Sequence, residues 1–216
     1  MAPPSTRRTV PGLMQATQVA TPFHRPGWVY EEKVDGYRAV AIKSGESLRL
    51  ISRTGVDYAR RFPELAQALA ALPAEAFILD GEVAVYDQAL ISRFEWLRGR
   101  PKDVLASAPI YMAFDLLELG GKDMRGEPLW KRRKALEKLI AGQRMVLPVR
   151  RLSSNGLKAW SQALHRGYEG IVAKDPDSPY EAGRTLRWLK VKQPDYRKDG
   201  RGLYREVMPE HELGKP

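Results

Sequence analysis

Lys33-Val34-Asp35-Gly36-Tyr37-Arg38 places a lysine at the end of a strand-like run and follows it with a tight-turn pair. Residues 28–32 lead in with β-favouring types, and 37–42 lead out the same way. Asp35-Gly36 is hairpin chemistry, because Gly tolerates positive φ and Asp caps the turn. Such a hairpin would aim Lys33 into whatever pocket its two strands frame. An amine held there is a nucleophile if its surroundings make it give up its proton. A solvated hairpin with a surface lysine carries the same string, so the residues further along must decide.

In Leu79-Asp80-Gly81-Glu82-Val83 the period-two alternation of a strand sends Asp80 and Glu82 to one face. Acids in an apolar strand are costly to bury, so they face solvent or meet a cation. For this strand taken alone, the solvated face is the expectation. In Trp188-Leu189-Lys190-Val191-Lys192 the alternation groups Trp188, Lys190 and Lys192. Two lysines on one face call for an anion between them, naturally a phosphate, or else they guard an exposed strand edge. Glu169 opens the string Gly170-Ile171-Val172-Ala173-Lys174, where it suits metal coordination or a simple strand-end charge. Ser52-Arg53-Thr54-Gly55 suits contact with ribose or phosphate. Phe114, just before Asp115, either stacks on a base or fills the core, and without context the core is the better reading. There is no G-x-x-x-x-G-K-[ST] string and no G-x-G-x-x-G after a strand, so a bound nucleotide would sit without a P-loop or Rossmann cradle.

These groups need elements to position them. Residues 28–33, 37–43 and 48–52 read as successive antiparallel strands, the last two joined at Ser44-Gly45-Glu46. Strands are also expected at 77–86, 110–119, 145–150, 170–173 and 186–191. A helix is expected over 62–72, where Phe62, Leu65, Leu69 and Leu72 recur on one face. Another spans 128–141, with Pro at its start and Leu129, Leu136, Leu139 and Ile140 as its stripe. A third covers 157–164. The class is α+β, antiparallel sheets with helices packed on their faces. Residues 1–22 read as a flexible lead-in, 23–193 as the folded domain and 194–216 as a basic, largely irregular tail.

The 216 residues are enough for one large domain or two small ones. A net charge of +10 is the electrostatic footprint of a polyanionic partner, nucleic acid being the commonest. The chain has no cysteine, which excludes disulfides and thiolate metal sites and fits a reducing cytoplasm. His24, His165 and His211 are scattered, which argues against a histidine-built metal centre. No apolar run approaches membrane-spanning length, so a membrane partner is not expected.

In order and type, the strings resemble the adenylation (nucleotidyltransferase) domain of ATP-dependent DNA ligases, and most of all the bacterial modules linked to non-homologous end joining. The string at Lys33 is similar to motif I, Ser52-Arg53-Thr54-Gly55 to motif Ia, and Leu79-Asp80-Gly81-Glu82 to motif III. Phe114-Asp115 resembles motif IIIa, residues 169–174 motif IV and residues 188–192 motif V. The resemblance runs from about Phe23 to Gln193. Jointly these ordered strings are specific, while any one alone is poor evidence. The resemblance implies the ligase-type nucleotidyltransferase fold with the nucleotide pocket between its sheets.

It also implies roles. Lys33 would attack the α-phosphorus of ATP, release pyrophosphate and keep AMP as a covalent phosphoramidate. Glu31 would receive the adenine amino group, and Phe114 would stack on the base. Arg38, Arg53 and Glu82 would hold the ribose, with Arg53 also near the nick phosphate. Glu169, with Glu82, would bind Mg²⁺ or Mn²⁺, and Lys190 and Lys192 would contact the α-phosphate. A free lysine has a pKa of about 10.4, so these cations would be needed to favour the free amine. The implied partner is nicked double-stranded DNA, and the implied location is the bacterial cytoplasm at the nucleoid. The chain continues only from 193 to 216 after Lys192, too short for the OB-fold domain with motif VI; the sequence reads equally as a piece of a longer protein, a naturally minimal one, or half of a pair whose OB-fold domain or end-joining partner is another polypeptide. Self-adenylation is the step that this puts in question. Three alternatives share the residues: a non-catalytic module that binds nicks or nucleotides, a ligase confined to the last, sealing step that needs an OB-fold partner in trans, and an RNA ligase or capping guanylyltransferase.

Overall fold

The computed structural model describes residues 12–99, 104–194 and 196. Its elements in chain order are β1 (Met14–Gln18), β2 (Val29–Glu32), β3 (Tyr37–Ser44), β4 (Ser47–Ser52), α1 (Pro63–Ala70) and β5 (Ala76–Ala84). They continue with β6 (Ile110–Leu119), β7 (Lys122–Asp123), α2 (Leu129–Leu139), β8 (Val146–Pro148), α3 (Gly156–His165), β9 (Gly170–Lys174) and β10 (Gly183–Lys192). The strands make two sheets. One has the order β1-β10-β9-β2, and the other β4-β3-β5-β6-β7 with β8 beside β6. Most pairs are antiparallel, as expected, but β1 runs parallel to β10 and β8 parallel to β6.

Alternation along the strands builds three layers of core. In β3, Ala39 and Ala41 face the cluster of Leu65, Leu69 and Leu136 from α1 and α2. Their neighbours Val40 and Ile42 face the other sheet and meet Met14 and Trp188. The second sheet is therefore buried on both faces. In the first sheet, Tyr30, Ile171, Ala173 and Val191 pack on Ala159 and Ala163 of α3. The intervening residues Glu31, Val172, Lys174 and Trp188 line a cleft between the sheets. The helices start where their caps dictate: Pro63 opens α1, Pro128 precedes α2, and the Asn155 side chain accepts from the amides of Leu157 and Lys158 at α3.

Three expectations change. The Lys33 turn is not a hairpin, because β2 and β3 lie in different sheets and residues 33–36 cross between them. Gly36 does not adopt positive φ. It is needed because a Cβ there would lie 2.2 Å from the Val83 carbonyl oxygen and 2.9 Å from Cγ of Glu82. Within the 1–22 lead-in, residues 14–18 form β1, and Gly183 N–H donates to the Leu13 carbonyl at 3.0 Å. Met-Gln-Ala-Thr-Gln buries only Met14 fully, too little apolar signal to mark a strand. β10 lies between β1 and β9, so its lysines do not guard an edge. Residues 1–11 of the lead-in, and all of the expected tail except Pro194 and Tyr196, lie outside the described residues.

The Arg132 guanidinium grips Asp115 through Nε–Oδ1 at 2.7 Å and Nη2–Oδ2 at 2.8 Å, both side chains fully buried. Removing one partner strands a buried charge, whereas an apolar pair of similar volume does not. Arg132→Ala is expected to lower the unfolding free energy in urea by about 3–5 kcal/mol, and Arg132→Met with Asp115→Leu to recover most of it. A double variant as unstable as the single one would show that the pair itself stabilises the fold.

Candidate active site

Lys33 prolongs β2 by one backbone bond, its N–H donating to the Gly170 carbonyl at 3.0 Å. Val34 then enters a small core with Ala84, Tyr86, Met112 and Val149. The Asp35 amide donates to Ser92 Oγ at 2.9 Å, and the Tyr196 hydroxyl donates to Asp35 Oδ2 at 3.2 Å. The nucleophile candidate thus sits on a segment pinned at both ends. Its Nζ donates to Glu169 Oε2, while Lys192 Nζ lies 2.8 Å from Glu169 Oε1. Burial opposes ionisation of Glu169, but Lys33 and Lys192 outweigh it and hold its pKa below the usual range. Lys190 is shifted down by burial and by the neighbouring charges of Lys33 and Lys192.

Glu82 stands opposite Arg38 across β3 and β5. Its carboxyl is pushed up to about 7 by burial, with Glu169 and Asp80 adding to the effect and Lys33 and Arg38 resisting it. Asp80 is fully buried, which overturns the solvated-face expectation for this strand. Arg38 takes it by two bonds, Nε–Oδ1 at 3.1 Å and Nη2–Oδ2 at 2.7 Å, and the Tyr180 hydroxyl donates to Oδ2 at 2.6 Å. Arg38 also donates to the Met14 carbonyl of β1 at 2.7 Å.

The cleft is open to solvent and spans about 550 Å³ with its mouth included. Glu31, Lys33, Arg38, Glu82 and Phe114 all line it. Phe114 is partly buried and meets Trp188 edge to face at 6.1 Å. It is therefore a wall of the cleft and a core contact at once. Lys174 Nζ lies 4.8 Å from the Phe114 ring centroid and 4.2 Å from that of Trp188. It also lies 2.6 Å from Glu31 Oε2, while Arg133 Nη1 donates to Glu31 Oε1 at 2.8 Å. Arg53 is not brought to this group; it is exposed on the turn after β4 and does not line the cleft.

Sequence reasoning gave no role to Lys174, Arg133 or Glu32. Arg133 had a signal: with Leu129, Leu136 and Ile140 it falls on the apolar stripe of its helix, at i, i+4, i+7 and i+11. Glu32 is buried beside Lys33 and bonds the Tyr86 hydroxyl at 3.4 Å and Arg150 Nη1 at 3.2 Å. Burial pushes its carboxyl up to about 7 against the pull of Arg150.

No group of three or more His, Cys, Asp or Glu that could hold a metal occurs among the described residues. Glu82 and Glu169, both beside Lys33, offer hard oxygen donors. That fits a Mg²⁺-like ion, which takes one or two carboxylates and completes its shell with phosphate oxygens and water. No helix among the described residues is long and apolar enough to cross a membrane.

The family described as ATP dependent DNA ligase domain matches residues 12–192. The multifunctional non-homologous end joining DNA repair protein LigD of Mycobacterium tuberculosis is 33% identical over 189 residues, 87% of this chain and 23% of that protein. A probable DNA ligase of Streptomyces coelicolor is 38% identical over 178 residues, 75% of this chain and 34% of that protein. Among solved structures, the M. tuberculosis LigD ligase domain superposes with a TM-score of 0.66 at 33% identity, covering 82% of this chain and 60% of that one. A mycobacterial DNA ligase D complexed with ATP and MES gives 0.65 at 32% identity, with the same coverage of both chains. The chain thus spans about a quarter to a third of these curated relatives.

Glu32 and Glu82 predict a pH dependence of stability. Both titrate near 7 when folded, above the ordinary carboxyl value near 4.5. Between those values the unfolded chain binds fewer protons, so stability falls as pH rises from about 4.5 to 7 and then levels. Urea unfolding across this window should show that decline, and Glu32→Gln should flatten it. An unchanged slope in the variant would remove Glu32 from the account.

Proposed function

The chain belongs to the ATP dependent DNA ligase domain family, and from that membership we propose that it takes up AMP from ATP on Lys33 for the sealing of nicked or broken DNA. The observation that carries this reading is the Lys33–Glu169–Lys192 cluster, whose Lys33 lines the same cleft as Glu31, Arg38, Glu82 and Phe114. Lys33 Nζ, as the free amine, forms the N–P bond to the α-phosphorus as the bond to pyrophosphate breaks, and the proton it sheds passes to solvent water. Glu169 fixes where Nζ waits. Lys190 and Lys192, on the same face of β10, receive the phosphate oxygens and stabilise their charge. Phe114 offers a ring face to the base and Glu31 an acceptor to its amino group. Glu82 and Arg38 flank the ribose. Arg53, on its exposed turn, is better placed for the DNA than for the sugar.

A Mg²⁺ or Mn²⁺ ion held by Glu169 and Glu82 would supply charge neutralisation at the phosphates. Nicked duplex DNA is the partner that fits a chain of charge +10. An OB-fold domain or an end-joining protein would supply the basic groups for the leaving pyrophosphate. The cytoplasm, at the nucleoid, is the location that this substrate requires.

Incubation with α-labelled ATP and Mg²⁺ or Mn²⁺ should leave label on the denatured protein. Lys33→Ala should abolish it, and Glu169→Gln should slow it by roughly a hundredfold, the scale of a lost charge-stabilising group. Label retained by Lys33→Ala would sink the assignment. Sealing of a pre-adenylated nick without labelling would restrict the domain to the last step, and neither activity would leave a binding module. GTP labelling in place of ATP would favour a capping activity. Affinity for nicked duplex should fall steeply with added salt, and a flat response would count against a phosphate-contact surface.

A further inference from the structure

Arg133 comes from α2, does not line the cleft, and is nonetheless buried to 2% exposure. Each nitrogen of its guanidinium has an acceptor: Nη1 donates to Glu31 Oε1 at 2.8 Å, Nη2 to the Val149 carbonyl at 2.5 Å, and Nε to Glu137 Oε1 at 2.8 Å. Burying an arginine is expensive, and stability alone is a weak reason to keep one, since apolar side chains of similar volume serve as well. The charge acts on Glu31, which is also 2% exposed and holds Lys174 on its other oxygen at 2.6 Å.

We propose that Arg133 is a positioning residue that makes this site prefer a 6-amino purine over a 6-oxo purine, by keeping Glu31 an acceptor-only carboxylate in one orientation. The inference rests on the reading that Glu31 faces the exocyclic group of the base. An ionised carboxylate can only accept hydrogen bonds, whereas a protonated one also donates. Adenine presents an amino donor at position 6; guanine and hypoxanthine present an oxygen there. A carboxylate therefore binds the first and repels the second, and a carboxylic acid would tolerate both. Burial by itself would push Glu31 towards the acid, and Lys174 and Arg133 reverse that and hold its pKa below the usual range.

The charged groups around Glu31 are few. Arg133 and Glu137 come from α2, Lys174 from β9, and Arg151, bridged to Glu31 by its backbone, follows β8. Asp115 of β6 favours the charged form of Lys174. Glu137 is 44% exposed and lies 3.9 Å from Arg151, so it is screened from the cleft. Arg133 is thus the guanidinium in direct contact with Glu31, and Lys174 is the other half of the clamp.

The test compares ATP with inosine triphosphate, which replaces the 6-amino group by oxygen and leaves the sugar and phosphates unchanged. Affinities are read by calorimetry on the Lys33→Ala protein from about pH 6 to 8.5. Without Lys33 no AMP is transferred during the titration, and ionisation of the triphosphate is common to both nucleotides and cancels in the ratio. With Arg133 present, ATP should bind tighter by roughly a hundredfold or more, at a ratio flat with pH. Arg133→Met should bring the ratio below about tenfold near pH 6 and let it recover towards pH 8.5, as Glu31 regains its charge. Arg133→Lys should restore the flat profile. A merely structural defect would weaken both nucleotides alike. A ratio unchanged in Arg133→Met, or one that slides with pH when Arg133 is present, overturns the proposal. The second result needs no Arg133 variant to fold. Loss of labelling at Lys33 in the unmutated chain would remove the adenylation reading separately, and the affinity ratio would still decide the clamp.

Discussion

Glu169 is almost wholly withdrawn from water, and an isolated carboxylate so placed would cost several kcal/mol. It is tolerable because each oxygen carries an ammonium group, Lys33 on one and Lys192 on the other. That single requirement brings three pieces of backbone together. The segment after β2 donates to the Gly170 carbonyl, and the residue after β10 donates to the Glu169 carbonyl at 3.0 Å. Sheet register therefore sets the position of the amine. A shift of either neighbour against β9 would turn its lysine to the other face and leave the acid unpaired.

The same economy recurs deeper in the molecule. Asp80 with Arg38, Asp115 with Arg132, and Glu31 with Arg133 and Lys174 are buried groupings in which the acid is met by at least one cation. Asp115–Arg132 and Glu31–Arg133 join a strand to α2, while Asp80 and Arg38 lie on adjacent strands of one sheet and Arg38 reaches on to the Met14 carbonyl of the other. Their value lies in geometry, since ion pairs of this kind contribute little net stability over apolar packing. The excess positive charge of the chain remains for its surface.

Much of this could be read in the residues. The helices over 63–70, 129–139 and 156–165 follow from their apolar stripes and caps, and the strands that carry Glu82, Phe114 and Lys192 follow from alternation. The grouping of Glu31, Lys33, Arg38, Glu82 and Phe114 around one cleft was legible only through the order of the strings, because period and propensity say nothing about which strands share a sheet. That limit explains the turn at Asp35-Gly36, which has hairpin composition but crosses between sheets. β1 was hidden because one methionine is all it buries. Arg133 was hidden because a Lys-Arg-Arg-Lys run looks like a solvated face unless its register with Leu129 and Leu136 is checked. Asp80 was misjudged for the matching reason, its partner Arg38 being 42 residues away.

The pairing of the first strands with the last has a consequence for how the chain is made. Among the described residues β1 pairs with β10, and β2 with β9 and with the segment after β8, whereas β3 to β6 pair with near neighbours in sequence. During synthesis the six-stranded sheet can assemble early, while residues 14–32 wait for partners that emerge some 120 to 170 residues later. Unpaired strands in waiting are templates for wrong association, and charge is the usual protection. Glu31 and Glu32 in β2, and the glutamines and threonine of β1, keep those waiting edges polar until Lys174 and Arg133 arrive to neutralise one acid and Arg150 the other. The acids of the finished cleft also serve as guards of the unfinished one.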